Sequence, residues 1–83
     1  MNEHDVDTAI RRVLHRIAPE ADLDSVGPND DLQETLDLDS MDFLNFVIGL
    51  KEETGVEVPE SDYPRVSTLA AGTAYLSAWS GRA

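Results

Sequence analysis

Residues 39–55 read Asp39-Ser40-Met41-Asp42-Phe43-Leu44-Asn45-Phe46-Val47-Ile48-Gly49-Leu50-Lys51-Glu52-Glu53-Thr54-Gly55. Turned at about 100° per residue, Phe43, Phe46, Val47 and Leu50 share one arc, the core face of a helix. Asp39 is a natural N-cap, and Asp42 three positions on places a second carboxylate in the positive first turn. The helix is expected to reach Thr54, with Gly55 as a left-handed cap. Met41 and Ile48 point roughly opposite to the core arc, interleaved with Asp42, Asn45 and Glu52. Singly scattered exposed apolar residues are ordinary. Their alternation with acids along one line is what marks this face as a docking surface for a basic, partly apolar partner.

Working outward, Val6, Ile10, Val13, Leu14 and Ile17 repeat at helical spacing and predict a first amphipathic helix over residues 4–18, stopped by Pro19. Residues 19–39 carry Pro19, Gly27, Pro28, Asn29 and many Asp, which favour turns. With Leu23, Val26, Leu32, Leu36 and Leu38 spaced irregularly, they read as a long ordered loop pinned to the core by its apolar residues. After Gly55, residues 56–59 form an extended connector, and residues 59–63 fit one helical turn before Pro64. Ser67 or Thr68 opens a last helix whose Leu69, Thr73, Leu76 and Trp79 keep helical spacing, while Ala70, Ala71, Gly72, Ala74 and Ala78 permit close packing. No strand alternation or internal repeat competes with this reading. The expected fold is a single all-α domain over residues 1–83: a small bundle of three main helices and one short helix, with a long loop between the first and second main helices.

At 83 residues the chain has room for one domain only, and with 41% hydrophobic and 28% charged residues its composition is that of a globular protein. Without cysteine, it has no disulfides and no zinc site built on thiolates. The formal net charge is −11, distributed unevenly. Residues 1–16 are balanced, whereas residues 17–42 hold nine acids and no base. Such a field repels nucleic acid and anionic membranes and speeds encounter with basic protein surfaces. No apolar run is long enough to span a membrane, and Met1-Asn2-Glu3-His4-Asp5-Val6-Asp7 lacks the features of a signal peptide. A cytoplasmic monomer is the expectation.

Ser40 stands at the start of the central helix. A phosphate on its hydroxyl would lie near the unsatisfied N–H groups and positive end of that helix, while a serine there serves equally as a capping residue. Other constellations fail. His4 and His15 lie eleven residues apart on one helix, too far to share a metal. Asp37, Asp39 and Asp42 do not match a calcium loop, which would need Asp or Asn at Met41, Gly at Asp42 and Glu at Ile48. Weak cation binding by these clustered carboxylates is all they predict, and no metal site is assigned.

Asp39-Ser40-Met41-Asp42 resembles the Asp-Ser-Leu/Met motif of acyl carrier proteins, whose serine takes a 4′-phosphopantetheine arm from coenzyme A. The resemblance extends over nearly the whole chain. Asp31-Leu32 and Thr35-Leu36-Asp37-Leu38 are similar to the family's approach to that serine. Glu52-Glu53-Thr54-Gly55-Val56-Glu57-Val58-Pro59 resembles its second-helix exit, and Val66-Ser67-Thr68-Leu69 and Ala74-Tyr75-Leu76 its last helix. It implies a non-enzymatic carrier that holds acyl groups as thioesters on the arm, in fatty-acid, polyketide or a specialised acyl pathway. Ser40 is then the attachment point, and Asp39 a cap that attracts the modifying phosphopantetheinyl transferase. Met41, Asp42, Asn45, Ile48 and Glu52 would face that transferase and the acyl-loading and acyl-transfer enzymes. The family commonly has Gly where this chain has Asp37, which would change the backbone locally. Its fatty-acid members carry more acids along the helix that Asn45, Gly49 and Lys51 interrupt here. The alternatives are an aminoacyl or peptidyl carrier, and an unmodified acidic adaptor in which Ser40 only caps.

Overall fold

The computed structural model describes residues 2–80 and is all-α. Helix α1 (Glu3–Ile17) starts at Asn2, whose side chain accepts a 2.8 Å hydrogen bond from the Asp5 N–H, and carries acids in its first turn and His15 and Arg16 in its last. The expected stripe is buried at Val6, Ile10, Val13 and Leu14; Ala9 joins it, and Ile17 packs against its edge.

The connection after α1, expected as a long ordered loop pinned by its apolar residues, also forms short helical pieces. It contains a 3-10 turn (Leu23–Ser25) and a one-turn helix, α2 (Leu32–Thr35). The same aspartates that read as turn formers cap these pieces: Asp22 accepts from the Asp24 N–H and Asp31 from the Glu34 N–H. Neither piece is long enough to show a helical period, and both are held by burial of Leu32, Val26 and Leu38. Backbone bonds from the Leu32 N–H to the Ser67 carbonyl (2.8 Å) and from the Ala70 N–H to the Pro28 carbonyl (2.9 Å) tie this connection to the start of the last helix.

The exit from α2 places Asp37 at φ 54°, in the left-handed region. The Leu38 N–H bonds to the Gln33 carbonyl (2.8 Å) and the Asp37 N–H to the Glu34 carbonyl (3.4 Å), the reciprocal pair of a Schellman ending. Asp37 therefore holds a conformation suited to glycine, where the sequence comparison had implied a local change of backbone. A left-handed L-residue costs roughly 1–2 kcal/mol, less for Asp, and glycine's larger unfolded-state freedom offsets part of any gain. Asp37→Gly is expected to raise stability by about 0.5–1 kcal/mol and Asp37→Ala not to raise it. Urea denaturation of both decides this; a stability loss with Gly would contradict it.

Helix α3 (Ser40–Thr54) buries Phe43, Phe46, Val47 and Leu50, the arc read from the sequence, and ends at Gly55 with φ 76°. Gly49 is buried too. A Cβ there would stand 2.6 Å from Val13 Cγ1, so this glycine sets how closely α1 and α3 approach. Across that contact Arg12 (3.0 Å) and Arg16 (3.5 Å) pair with Glu53.

The single turn expected over residues 59–63 is instead a seven-residue 3-10 helix (Glu60–Val66) that runs through Pro64. Such lengths are uncommon, and tertiary contacts hold this one. Val66 is fully buried, the Tyr63 ring meets Phe43 edge-on at 5.6 Å, and the Tyr75 hydroxyl donates to Asp62 at 2.8 Å. Burial, and then the bond to the Asp62 carboxylate, push the Tyr75 hydroxyl above its ordinary pKa.

Helix α4 (Leu69–Ser80) is opened by Thr68, whose hydroxyl accepts from the Ala71 N–H at 3.0 Å. Gly72 lies against Ile10 and Val66, as the run of small residues allowed. Trp79 is half exposed rather than part of the core stripe; Tyr75, Leu76 and Leu69 form that face. α1 packs on both α3 and α4 and the core is a single cluster, to which α2 contributes Leu32 and the second 3-10 helix Val66.

Candidate functional site

Ser40 is the first residue of α3 and is exposed. The capping work is done one residue earlier. Asp39, extended at φ −83° and ψ −177°, accepts the Asp42 N–H at 2.8 Å, and the Asp42 carboxylate accepts the Asp39 N–H at 3.4 Å. The Ser40 hydroxyl is thereby released from capping and makes no hydrogen bond among the described residues. A hydroxyl held at a helix start, exposed and unengaged, is placed to react.

Beside it lies an open groove of about 510 Å³. Phe43, Leu44, Tyr63 and Pro64 give it apolar and aromatic walls, and Asp31, Gln33, Glu60 and Ser67 a polar rim. These come from α2, α3 and the 3-10 helix, three segments distant in sequence. Sequence reading therefore missed the groove as a unit. The groove borders the attachment candidate and pairs amide-binding side chains with hydrocarbon surface. The residues present thus fit a phosphopantetheine-type group.

Along the outer line of α3, Met41 is 65% exposed, Ile48 49% and Leu44 40%. The sequence reading named Met41 and Ile48 and missed Leu44. The signal was available: Leu44 follows Met41 by three residues and precedes Ile48 by four, so the three form one helical stripe. Asn45 and Glu52 are exposed beside it, and Asp42 is half-buried and accepts the Asp39 N–H with one oxygen. Glu53 faces α1 and not this surface.

Charge is unbalanced near the site. Among the described residues every ion pair uses Asp7, Glu53, Glu57 or Asp62, and none uses a carboxylate between residues 17 and 42. Also among the described residues, no three His, Asp or Glu side chains are grouped so as to hold a metal ion, so the expected weak cation cluster at Asp37, Asp39 and Asp42 is not formed. What is left is diffuse repulsion, which salt relieves. Raising monovalent salt from about 0.01 to about 0.5 M is expected to increase Tm by several degrees, on the order of 1 kcal/mol. Thermal denaturation monitored by circular dichroism checks this; a flat or falling Tm would show that the acids are no net burden on folding.

Among the described residues no helix is long and apolar enough to cross a membrane. Comparison with known proteins adds the family. The model of the family described as phosphopantetheine attachment site matches residues 4–76. The chain is similar to an acyl carrier protein of Lactobacillus acidophilus, 31% identical over 62 residues that cover 75% of this chain and 78% of that protein. It is likewise similar to an acyl carrier protein of Lactobacillus johnsonii, 31% identical over 55 residues covering 66% and 69%. The all-α fold and a match over nearly its full length place this chain in the acyl carrier protein family, non-enzymatic carriers whose prosthetic group is 4′-phosphopantetheine.

Proposed function

We propose that the chain is a discrete acyl carrier in which Ser40 bears the arm. The observation that carries this reading is the exposed Ser40 hydroxyl, freed from capping by the Asp39–Asp42 box and set at the edge of the groove. In the modification the Ser40 oxygen bonds to the phosphorus next to the pantetheine of coenzyme A. The diphosphate bond breaks, adenosine 3′,5′-bisphosphate leaves, and the hydroxyl proton goes to solvent or a base of the transferase. Once in place, the arm supplies a thiol that carries acyl groups as thioesters; the protein supplies recognition and a high effective concentration.

Within this reading Asp39 orients Ser40 and adds negative charge that attracts the transferase. Met41, Leu44 and Ile48 form the apolar ridge on which partner enzymes dock, flanked by Asn45 and Glu52. The acidic stretch before α3 steers basic partner surfaces toward it. Asp42 contributes mainly by holding the helix start. The partners are a phosphopantetheinyl transferase and the enzymes that load and remove acyl groups, in fatty-acid, polyketide or a specialised acyl pathway.

The absence of cysteine makes the test clean. Purified protein incubated with coenzyme A, magnesium and a broad-specificity phosphopantetheinyl transferase is expected to gain one maleimide-reactive thiol per chain. Acylation should mask that thiol, and neutral hydroxylamine should restore it. If several transferases leave the protein without a thiol, an unmodified acidic adaptor is the better reading.

A further inference from the structure

We infer that Tyr63 and Phe43 bar the groove beside Ser40 from the core, with Tyr63 as the deciding residue, so that this carrier presents its acyl cargo at the surface whatever the length of the chain. This rests on Ser40 being the attachment point. An alkyl group delivered by the arm is stabilised by every methylene it removes from water. Whether it can enter the protein depends on what stands between the groove and the interior.

What stands there is a row of three aromatic rings in contact. Tyr63 and Phe43 both line the groove, their rings edge-on with centroids 5.6 Å apart, and Phe43 in turn lies 5.7 Å from Phe46, which does not line it. Exposure falls along the row: Tyr63 is half-buried, Phe43 7% exposed and Phe46 1%. Behind the rings Leu32, Leu50 and Val66 are fully buried, and interiors of this kind are close-packed. A chain entering from the groove must part Tyr63 from Phe43 and then Phe43 from Phe46. The segment that carries Tyr63 is fastened on both sides of it. One residue before, Asp62 accepts a 2.8 Å hydrogen bond from the Tyr75 hydroxyl of α4; three residues after, Val66 is anchored in the core. The wall therefore cannot swing outward without breaking a part-buried hydrogen bond and exposing an apolar anchor.

The test loads the full chain with butyryl or dodecanoyl coenzyme A, through a broad-specificity phosphopantetheinyl transferase, and follows cleavage of each thioester by neutral hydroxylamine. On the wild type the two rates are expected to agree within about twofold, since a chain lying along an open groove buries little of itself. Tyr63→Ala removes the ring that covers Phe43. On that variant the dodecanoyl form should be cleaved at least about tenfold more slowly than the butyryl form, the protection that about two buried methylenes supply. Tyr63→Leu should show a smaller difference of the same sign and serves if the alanine variant does not fold. Tyr63→Phe keeps the ring and should match the wild type. Proton–nitrogen spectra give a readout independent of reactivity: on the wild type, the backbone signals of Phe46 and Leu50 should be the same with either acyl group. Slower cleavage of the dodecanoyl form on the wild type, shifts at Phe46 and Leu50 in that form, or equal rates on the folded Tyr63→Ala or Tyr63→Leu protein overturns this inference alone. Failure of coenzyme A and both acyl forms to load at Ser40 overturns the attachment reading and this inference with it.

Discussion

Phe46→Ala and Leu50→Ala are each expected to lower the free energy of unfolding by about 2–5 kcal/mol. Both side chains are essentially fully buried where α3 meets the rest of the core, and removing them leaves cavities that a close-packed interior refills only in part. Against a total stability of about 5–15 kcal/mol, such a loss is a large share for a small domain. Met41→Ala and Ile48→Ala lie on the opposite side of the same helix, and stability should change by less than about 1 kcal/mol. Those two should instead slow arm transfer, whereas the core variants should load normally in whatever fraction remains folded. Equilibrium denaturation beside loading kinetics separates the two faces. Equal destabilisation by Met41→Ala and Phe46→Ala, with normal loading of the folded fraction, would mean that α3 is buried on both sides in solution.

The division of α3 into two faces was legible because fifteen residues are enough to define a period, and because Asp39 and Gly55 mark its ends with side-chain and backbone chemistry. The stripe of α1 was legible for the same reason. The one-turn α2 and the 3-10 helix were not, since their stability comes from elsewhere: Leu32 buried in the core, and Tyr63, Asp62 and Val66 held by Phe43, Tyr75 and the core. Trp79 shows the converse. Its spacing fits the stripe of α4, yet in the last turn of that helix it is half exposed, its ring 6.2 Å from that of Tyr75.

At the site, the motif pointed to Ser40 and its neighbours, which stand together on one helix. It left out Asp31, Gln33, Glu60 and Tyr63, which reach Ser40 only through the fold. Leu44 was overlooked between two core phenylalanines although its spacing matches Met41 and Ile48. Asp42 illustrates a different limit. Its position predicted both a cap and a docking charge, and the reciprocal bond with Asp39 forms the cap.

Ser40→Ala is expected to abolish modification altogether while leaving the fold intact. Asp39, not Ser40, caps α3, so replacing the exposed hydroxyl removes no structural bond, and alanine is a good residue for a helix start. Stability should therefore change by less than about 0.5 kcal/mol. The experiment compares intact masses of wild-type and Ser40→Ala protein after incubation with coenzyme A and a broad-specificity phosphopantetheinyl transferase, followed by fragmentation of the modified chain. A single arm on the wild type, localised to Ser40, is expected, and none on a Ser40→Ala protein with an unchanged circular dichroism spectrum. An arm on the folded Ser40→Ala protein, or one localised to any other residue, would contradict it.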